Sequence, residues 1–140
     1  MRTEPVATQP RTIVEPADRT TRPAAYLAAG FCLLIAAVYL MIGLTVVTVI
    51  QPSDDQPVFG FIAAAAFAGS AMILLAVRRR IVWIALAAVQ VFIAFTYFDL
   101  AAERVPAFEP WGIVLRILQI PLLAALGYLV VRTPRRSATA

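Results

Sequence analysis

From Pro23 onward the chain alternates long apolar runs with short polar breaks. Four runs stand out, at about 24–50, 58–77, 81–98 and 111–131. Each approaches or exceeds the ~20 residues that a helix needs to cross a hydrocarbon core ~30 Å thick. Backbone amides in lipid must find their hydrogen bonds within the segment, so runs of this length are expected to be helices rather than strands. Pro23, Pro57 and Pro110 stand just before three of the starts, where a missing amide hydrogen does little harm. The pattern predicts an all-α integral membrane protein, a four-transmembrane-helix bundle over residues 24–132.

The flanks read differently. Residues 1–23 hold Pro5, Pro10 and Pro16, mix both charge signs and show no apolar period, which predicts a disordered cytoplasmic arm. The run after it is too long for a signal-peptide core and lacks a small-residue cleavage site. Residues 133–140 are expected to form a short cytoplasmic tail.

Composition supports a membrane rather than an aqueous setting: 61% of residues are hydrophobic and 14% charged, more apolar material than a soluble domain of 140 residues can hide. The net charge of +4 would suggest nucleic acid in a soluble protein. All 12 basic residues are arginines, however, and they bracket the apolar runs instead of forming one patch, so no nucleic-acid partner is expected. Arg78, Arg79 and Arg80 fill the connection between runs two and three. Arg132, Arg135 and Arg136 follow run four, and the arm holds Arg2, Arg11, Arg19 and Arg22. The other two connections carry Asp54 and Asp55, and Glu103, Arg104 and Glu109. Arginine thus concentrates on one side, and the positive-inside rule places both termini in the cytoplasm, with the plasma membrane as the expected location. Tyr26, Trp83 and Tyr128 fall at the expected inner interface, and Phe59, Tyr97, Phe98 and Trp111 at the outer one, as aromatic anchors should.

Chemistry is constrained by absences. The chain has no histidine and one cysteine, Cys32, which removes histidine-ligated metals and haem, histidine general bases and any internal disulfide. Cys32 lies in LAAGFCLLIAA and is expected to be a small packing residue. There is no glycine-rich phosphate loop and no nucleophile–base motif. Glu103 and Glu109 could in principle form a two-carboxylate site, but no second polar shell accompanies them. No catalytic activity, cofactor or metal is expected.

Within the runs, six polar residues form a candidate intramembrane site: Tyr39, Gln90, Thr96, Asp99, Arg116 and Gln119. At about 1.5 Å per residue, Gln119 and Arg116 lie about 20 and 24 Å above the cytoplasmic edge. Tyr39 and Thr96 reach about 22 and 24 Å, Gln90 about 15 Å and Asp99 about 28 Å on the same scale. Gly112, Arg116, Gln119, Leu123 and Gly127 share one helical face, which is expected to look inward. Gln90 and Asp99 fall on opposite faces of their helix, so either Gln90 meets Gln119 or Asp99 meets Arg116, and not both unless the helix frays before Asp99. Pro121 frees the carbonyl of Ile117 beside this site. For Arg116 itself the first expectation is structural: its side chain snorkels toward Asp99, Glu103, Glu109 or lipid phosphates at the outer interface. The competing expectation is an inward charge facing a substrate or partner. Helix packing is expected at the small residues Gly60, Ala64 and Ala68, and at Gly112.

Besides the lipid bilayer, two kinds of partner fit these readings. The first is a larger membrane protein for which this chain serves as a non-enzymatic accessory or scaffold subunit. The alternative is a homo-oligomer acting as a small transporter or channel-like unit, its polar path running around Arg116 and Gln119. One arginine and a peripheral aspartate supply little embedded charge for an ion path, so the accessory role leads.

Overall fold

A computed structural model describes residues 17–47, 56–102 and 109–133. Among the described residues there are four α-helices and no strand: α1 (Ala17–Gly43), α2 (Gln56–Ala76), α3 (Arg80–Ala102) and α4 (Pro110–Arg132). Three helical stretches are long and apolar enough to cross a membrane, Thr21–Gly43, Pro57–Ala76 and Pro110–Arg132. In α3 the apolar stretch Arg80–Thr96 is shorter. Of the predicted disordered arm (1–23) and tail (133–140), residues 1–16 and 134–140 lie outside the described residues, whereas 17–23 are helical and extend α1.

The boundaries of α1 differ from the hydropathy reading at both ends. The helix already begins at Ala17, so Pro23 lies inside it and withholds one amide from the carbonyl of Arg19. It ends at Gly43, although the apolar run continues to Ile50. The stop is a backbone event. Thr45 takes a left-handed conformation (φ 56°), and crossed hydrogen bonds close the helix. The Thr45 amide donates to the Ile42 carbonyl at 3.1 Å and the Val46 amide to the Met41 carbonyl at 3.0 Å. Glycine usually occupies this left-handed closing position. A β-branched residue there costs about 1–2 kcal/mol, which is why hydropathy gave no sign of the stop. At α4 the expected start holds: Pro110 opens the helix, and the Ile113 amide donates to the Glu109 carbonyl at 3.1 Å. Thr133 closes it, its backbone N–H donating to Leu129 at 3.1 Å and its hydroxyl to the same carbonyl at 2.8 Å.

α1 packs on α2 and on α4, and α4 also packs on α3. The order across the structure is therefore α2–α1–α4–α3, and α2 and α3 make little backbone contact despite the short turn that joins them. The buried residues of α2 are Gly60, Ala64, Phe67, Ala71 and Leu74, in steps of four, three, four and three. That mean period of 3.5 is the seam of helices inclined at a small left-handed angle. The uniform four-residue spacing expected from sequence runs through Ala68, which is only half-buried.

A close approach lies at the Gly43–Gly60 crossing, where α1 and α2 meet backbone to backbone. A Cβ on Gly60 would stand 2.5 Å from the Gly43 nitrogen, 2.6 Å from its Cα and 2.9 Å from the Tyr39 carbonyl oxygen. A Cβ on Gly43 would be 3.1 Å from the Phe61 nitrogen. Small residues permit this approach, and in lipid such van der Waals contact is a main source of helix association.

Gly60→Ala should therefore destabilise the detergent-solubilised protein by about 1–3 kcal/mol, the usual cost of forcing extra atoms into a packed site. Gly69→Ala, where nothing stands within 4 Å of the new methyl, should leave the thermal midpoint nearly unchanged. Equal effects at the two glycines would contradict the close crossing.

Candidate functional site

The buried residues of α4 are Gly112, Leu115, Arg116, Gln119, Leu122, Leu126 and Leu129. Apart from Arg116 they again step by three and four, so the inward seam bends from Gln119 onto Leu122, Leu126 and Leu129. The sequence reading continued it straight along the four-residue row. Leu123 is only half-buried on that row and Gly127 is exposed, because the helices cross rather than run parallel.

Two adjacent turns of this seam carry Arg116 and Gln119, both buried. One guanidinium Nη1 donates to the Gln119 Oε1 at 2.5 Å. The other, Nη2, reaches the Tyr39 hydroxyl oxygen on α1 at 3.5 Å, a longer and weaker contact. The Gln119 Nε2 donates in turn to the Gln90 Oε1 on α3 at 2.8 Å. A hydrogen-bonded chain thus runs from Tyr39 through Arg116 and Gln119 to Gln90, touching three helices.

Donor–acceptor chemistry sets its direction. Arginine offers donors and no acceptor, so the Gln119 amide must turn its oxygen toward Arg116. Its NH₂ group then faces α3, where only an acceptor can meet it, and the Gln90 oxygen does. Low local polarity strengthens each link and makes an unmatched group costly. Around the Tyr39 end the cage is aromatic: Phe67 stacks on the Tyr39 ring at 5.6 Å between centroids, and Phe59 meets it edge-on at 5.9 Å. This geometry lets the Tyr39 ring bury its apolar body while the hydroxyl serves the polar chain.

The other sequence-predicted residues fall as follows. Gln90 meets Gln119, the first of the two alternatives. Arg116, only 9% exposed, turns into the structure toward Gln119 and Tyr39. The snorkelling expectation is corrected on this point, because the guanidinium meets the Gln119 Oε1 and the Tyr39 hydroxyl. Thr96 is half-buried on α3 and is not a member of the chain. Asp99 lies in α3, but its side chain falls outside the described residues. Gly60 and Ala64 lie on the α1–α2 seam, and Gly112 is buried on α4 one turn before Arg116.

Sequence reasoning missed three participants. Phe67 has no part in the sequence reading, although its three-four spacing from Gly60 and Ala64 places it on the seam. Gly43 stands outside the expected packing set of Gly60, Ala64, Ala68 and Gly112, yet it meets Gly60 backbone to backbone. Trp83, expected at the lipid interface, is 2% exposed and packs inside. Its own three-four spacing to Gln90 (83, 86/87, 90) was the available signal. Tyr26, Tyr128, Phe59, Phe98 and Trp111 are exposed, as interfacial side chains are. Cys32 is buried in the α1 core.

Replacing Arg116 by Leu removes two donors from buried acceptors and should lower unfolding stability in detergent by about 1.5–3 kcal/mol, the range for hydrogen bonds to charged groups. Arg116→Lys should recover only part of that, since an ammonium cannot span Gln119 and Tyr39 in the planar fork of a guanidinium. Unchanged stability in Arg116→Leu would return the side chain to the lipid-facing role.

Comparison of the chain with protein-family models, curated proteins and solved structures gives no match.

Proposed function

We propose that this chain is a non-enzymatic accessory or scaffold subunit of a larger membrane protein. In this reading all four helices span the plasma membrane and both termini lie in the cytoplasm. The observation that carries it is the mutual bonding of buried polar side chains from three helices. Arg116, Gln119, Gln90 and Tyr39 bond to one another across α4, α3 and α1. Such groups act as interhelical ties in an apolar medium, where polar contacts hold helices in register. A transport path needs the same groups turned toward a passing substrate.

Two further features support the membrane placement. α3 has 23 residues, about 34 Å of helix at 1.5 Å per residue, which matches the hydrocarbon thickness. Its described outer half presents Val91, Phe92 and Phe95 outward, side chains suited to lipid or to the surface of another membrane protein. The arginines of the α2–α3 turn and Arg132 at the end of α4 lie on the side that the positive-inside rule assigns to the cytoplasm.

Purification of the tagged full chain from its native membrane in mild detergent, followed by mass spectrometry, tests the accessory role. A larger membrane protein recovered in stoichiometric amount is the expected result. A pure homo-oligomer whose thermal midpoint rises with a small solute would overturn it in favour of transport.

A further inference from the structure

The start of α3 contains two buried hydrogen-bond donors that meet no acceptor among the described residues: the Nε of Arg80 and the indole Nε1 of Trp83. Buried donors are nearly always satisfied, and an orphan usually marks a water, ion or ligand that the protein alone does not supply. Both stand in the first turn of α3, three residues apart and so on the same face. A helical side chain covers the turn on the N-terminal side of its own Cα, which brings the Trp83 indole back over Arg80. Trp83 itself is 2% exposed, so its N–H is held in place by packing rather than left to solvent.

The surroundings favour an anion. Arg79 is exposed and Arg80 half-buried at the same turn. The Val82 and Trp83 amides both bond back to the Arg79 carbonyl, at 3.0 and 3.3 Å. The amides of Arg80 and Ile81 come before the first intrahelical bond, and the positive end of the α3 dipole points the same way. The turn directly follows Ala76, the end of a helix long and apolar enough to cross a membrane, which sets it at the depth of lipid phosphates.

We propose that this turn binds the phosphate of an anionic phospholipid headgroup. Arg79 and Arg80 supply the charge, and the Trp83 N–H supplies a directed hydrogen bond. The half-exposed Arg80 side chain moves with the lipid to open the two donors. The indole makes the site selective: charge alone attracts anionic lipid diffusely, whereas a fixed donor needs an acceptor oxygen at one position. This inference uses the membrane placement of α2 and is independent of the accessory role.

The test titrates short-chain phosphatidylglycerol into the detergent-solubilised full chain and follows thermal unfolding. Phosphatidylcholine of the same chain length and inorganic phosphate serve as parallel probes. Phosphatidylglycerol should stabilise at the lowest concentration. Trp83→Phe and Arg80→Gln should each raise its half-effect concentration about fivefold to tenfold, as expected for losing one charge-assisted hydrogen bond. Arg132→Gln, an equal charge change on a side chain that lies over Tyr128 at 5.5 Å, should shift it less than about twofold. Equal effects of Arg80→Gln and Arg132→Gln with none from Trp83→Phe would reduce the site to diffuse attraction and overturn the proposal. So would phosphatidylcholine matching phosphatidylglycerol, or inorganic phosphate alone reproducing the shift, the latter indicating a soluble anion. If Trp83→Phe fails to fold, Trp83 emission in Trp111→Phe protein decides instead. Brominated phosphatidylglycerol should quench it more strongly than brominated phosphatidylcholine, and equal quenching rejects the site.

Discussion

A guanidinium carries five N–H donors and no acceptor, and in an apolar medium those donors must meet oxygen or the helix that bears them is destabilised. Arg116 imposes this constraint on its neighbours. It forces the orientation of the Gln119 amide, and Gln119 in turn dictates what α3 must offer. Tyr39, on the far side, must present oxygen rather than apolar carbon, and its ring is fitted between Phe59 and Phe67 to do so. α1, α3 and α4 are thereby set in register by hydrogen bonds with a direction, which apolar packing lacks. Among the described residues α2 contributes no side chain to this run of hydrogen bonds and is held by another means.

That other means is close packing, tightest where two glycines remove the side chains. At the Gly43–Gly60 crossing there is no room for a methyl group on Gly60, and the seam continues through Ala64, Phe67, Ala71 and Leu74. The two devices meet at α1: the carbonyl of Tyr39 lines the glycine crossing while its hydroxyl takes part in the polar chain. Displacing either helix pair therefore acts on the same turn of α1. α2 and α3, which belong to neither device jointly, make little backbone contact even though they are adjacent in sequence.

Much of this was legible before the structure. Hydropathy located all four helices, because run length against membrane thickness is a strong constraint, and the opposed phases of Gln90 and Asp99 already reduced α3 to two alternatives. What hydropathy could not see was backbone conformation. Thr45 ends α1 inside an apolar run through a left-handed residue, and nothing in side-chain polarity encodes that. Gly127 and Ala68 were placed on inward faces by four-residue spacing, whereas crossing helices follow a 3.5-residue seam that drifts off those rows. Trp83 is expected at the interface from its place beside Arg80 at the start of run three, although its spacing to Gln90 shares the buried stripe. For Arg116, distance to the interface favoured snorkelling. The direction of the side chain depends on Gln119 of its own helix together with Tyr39 of α1, a pairing that one segment of sequence does not reveal.

The central claim is that Gln119 passes the demand of Arg116 on to Gln90. A double-mutant cycle with Gln90→Leu, Gln119→Leu and the pair, measured by reversible unfolding in detergent, tests it most directly. Interhelical hydrogen bonds within membranes couple by about 0.6 kcal/mol on average and up to about 1.7 kcal/mol, and a favourable coupling in that range is the predicted result. Strictly additive losses would contradict the account, because they would mean that the two glutamines contribute independently and that α3 is not tied to α4 through them.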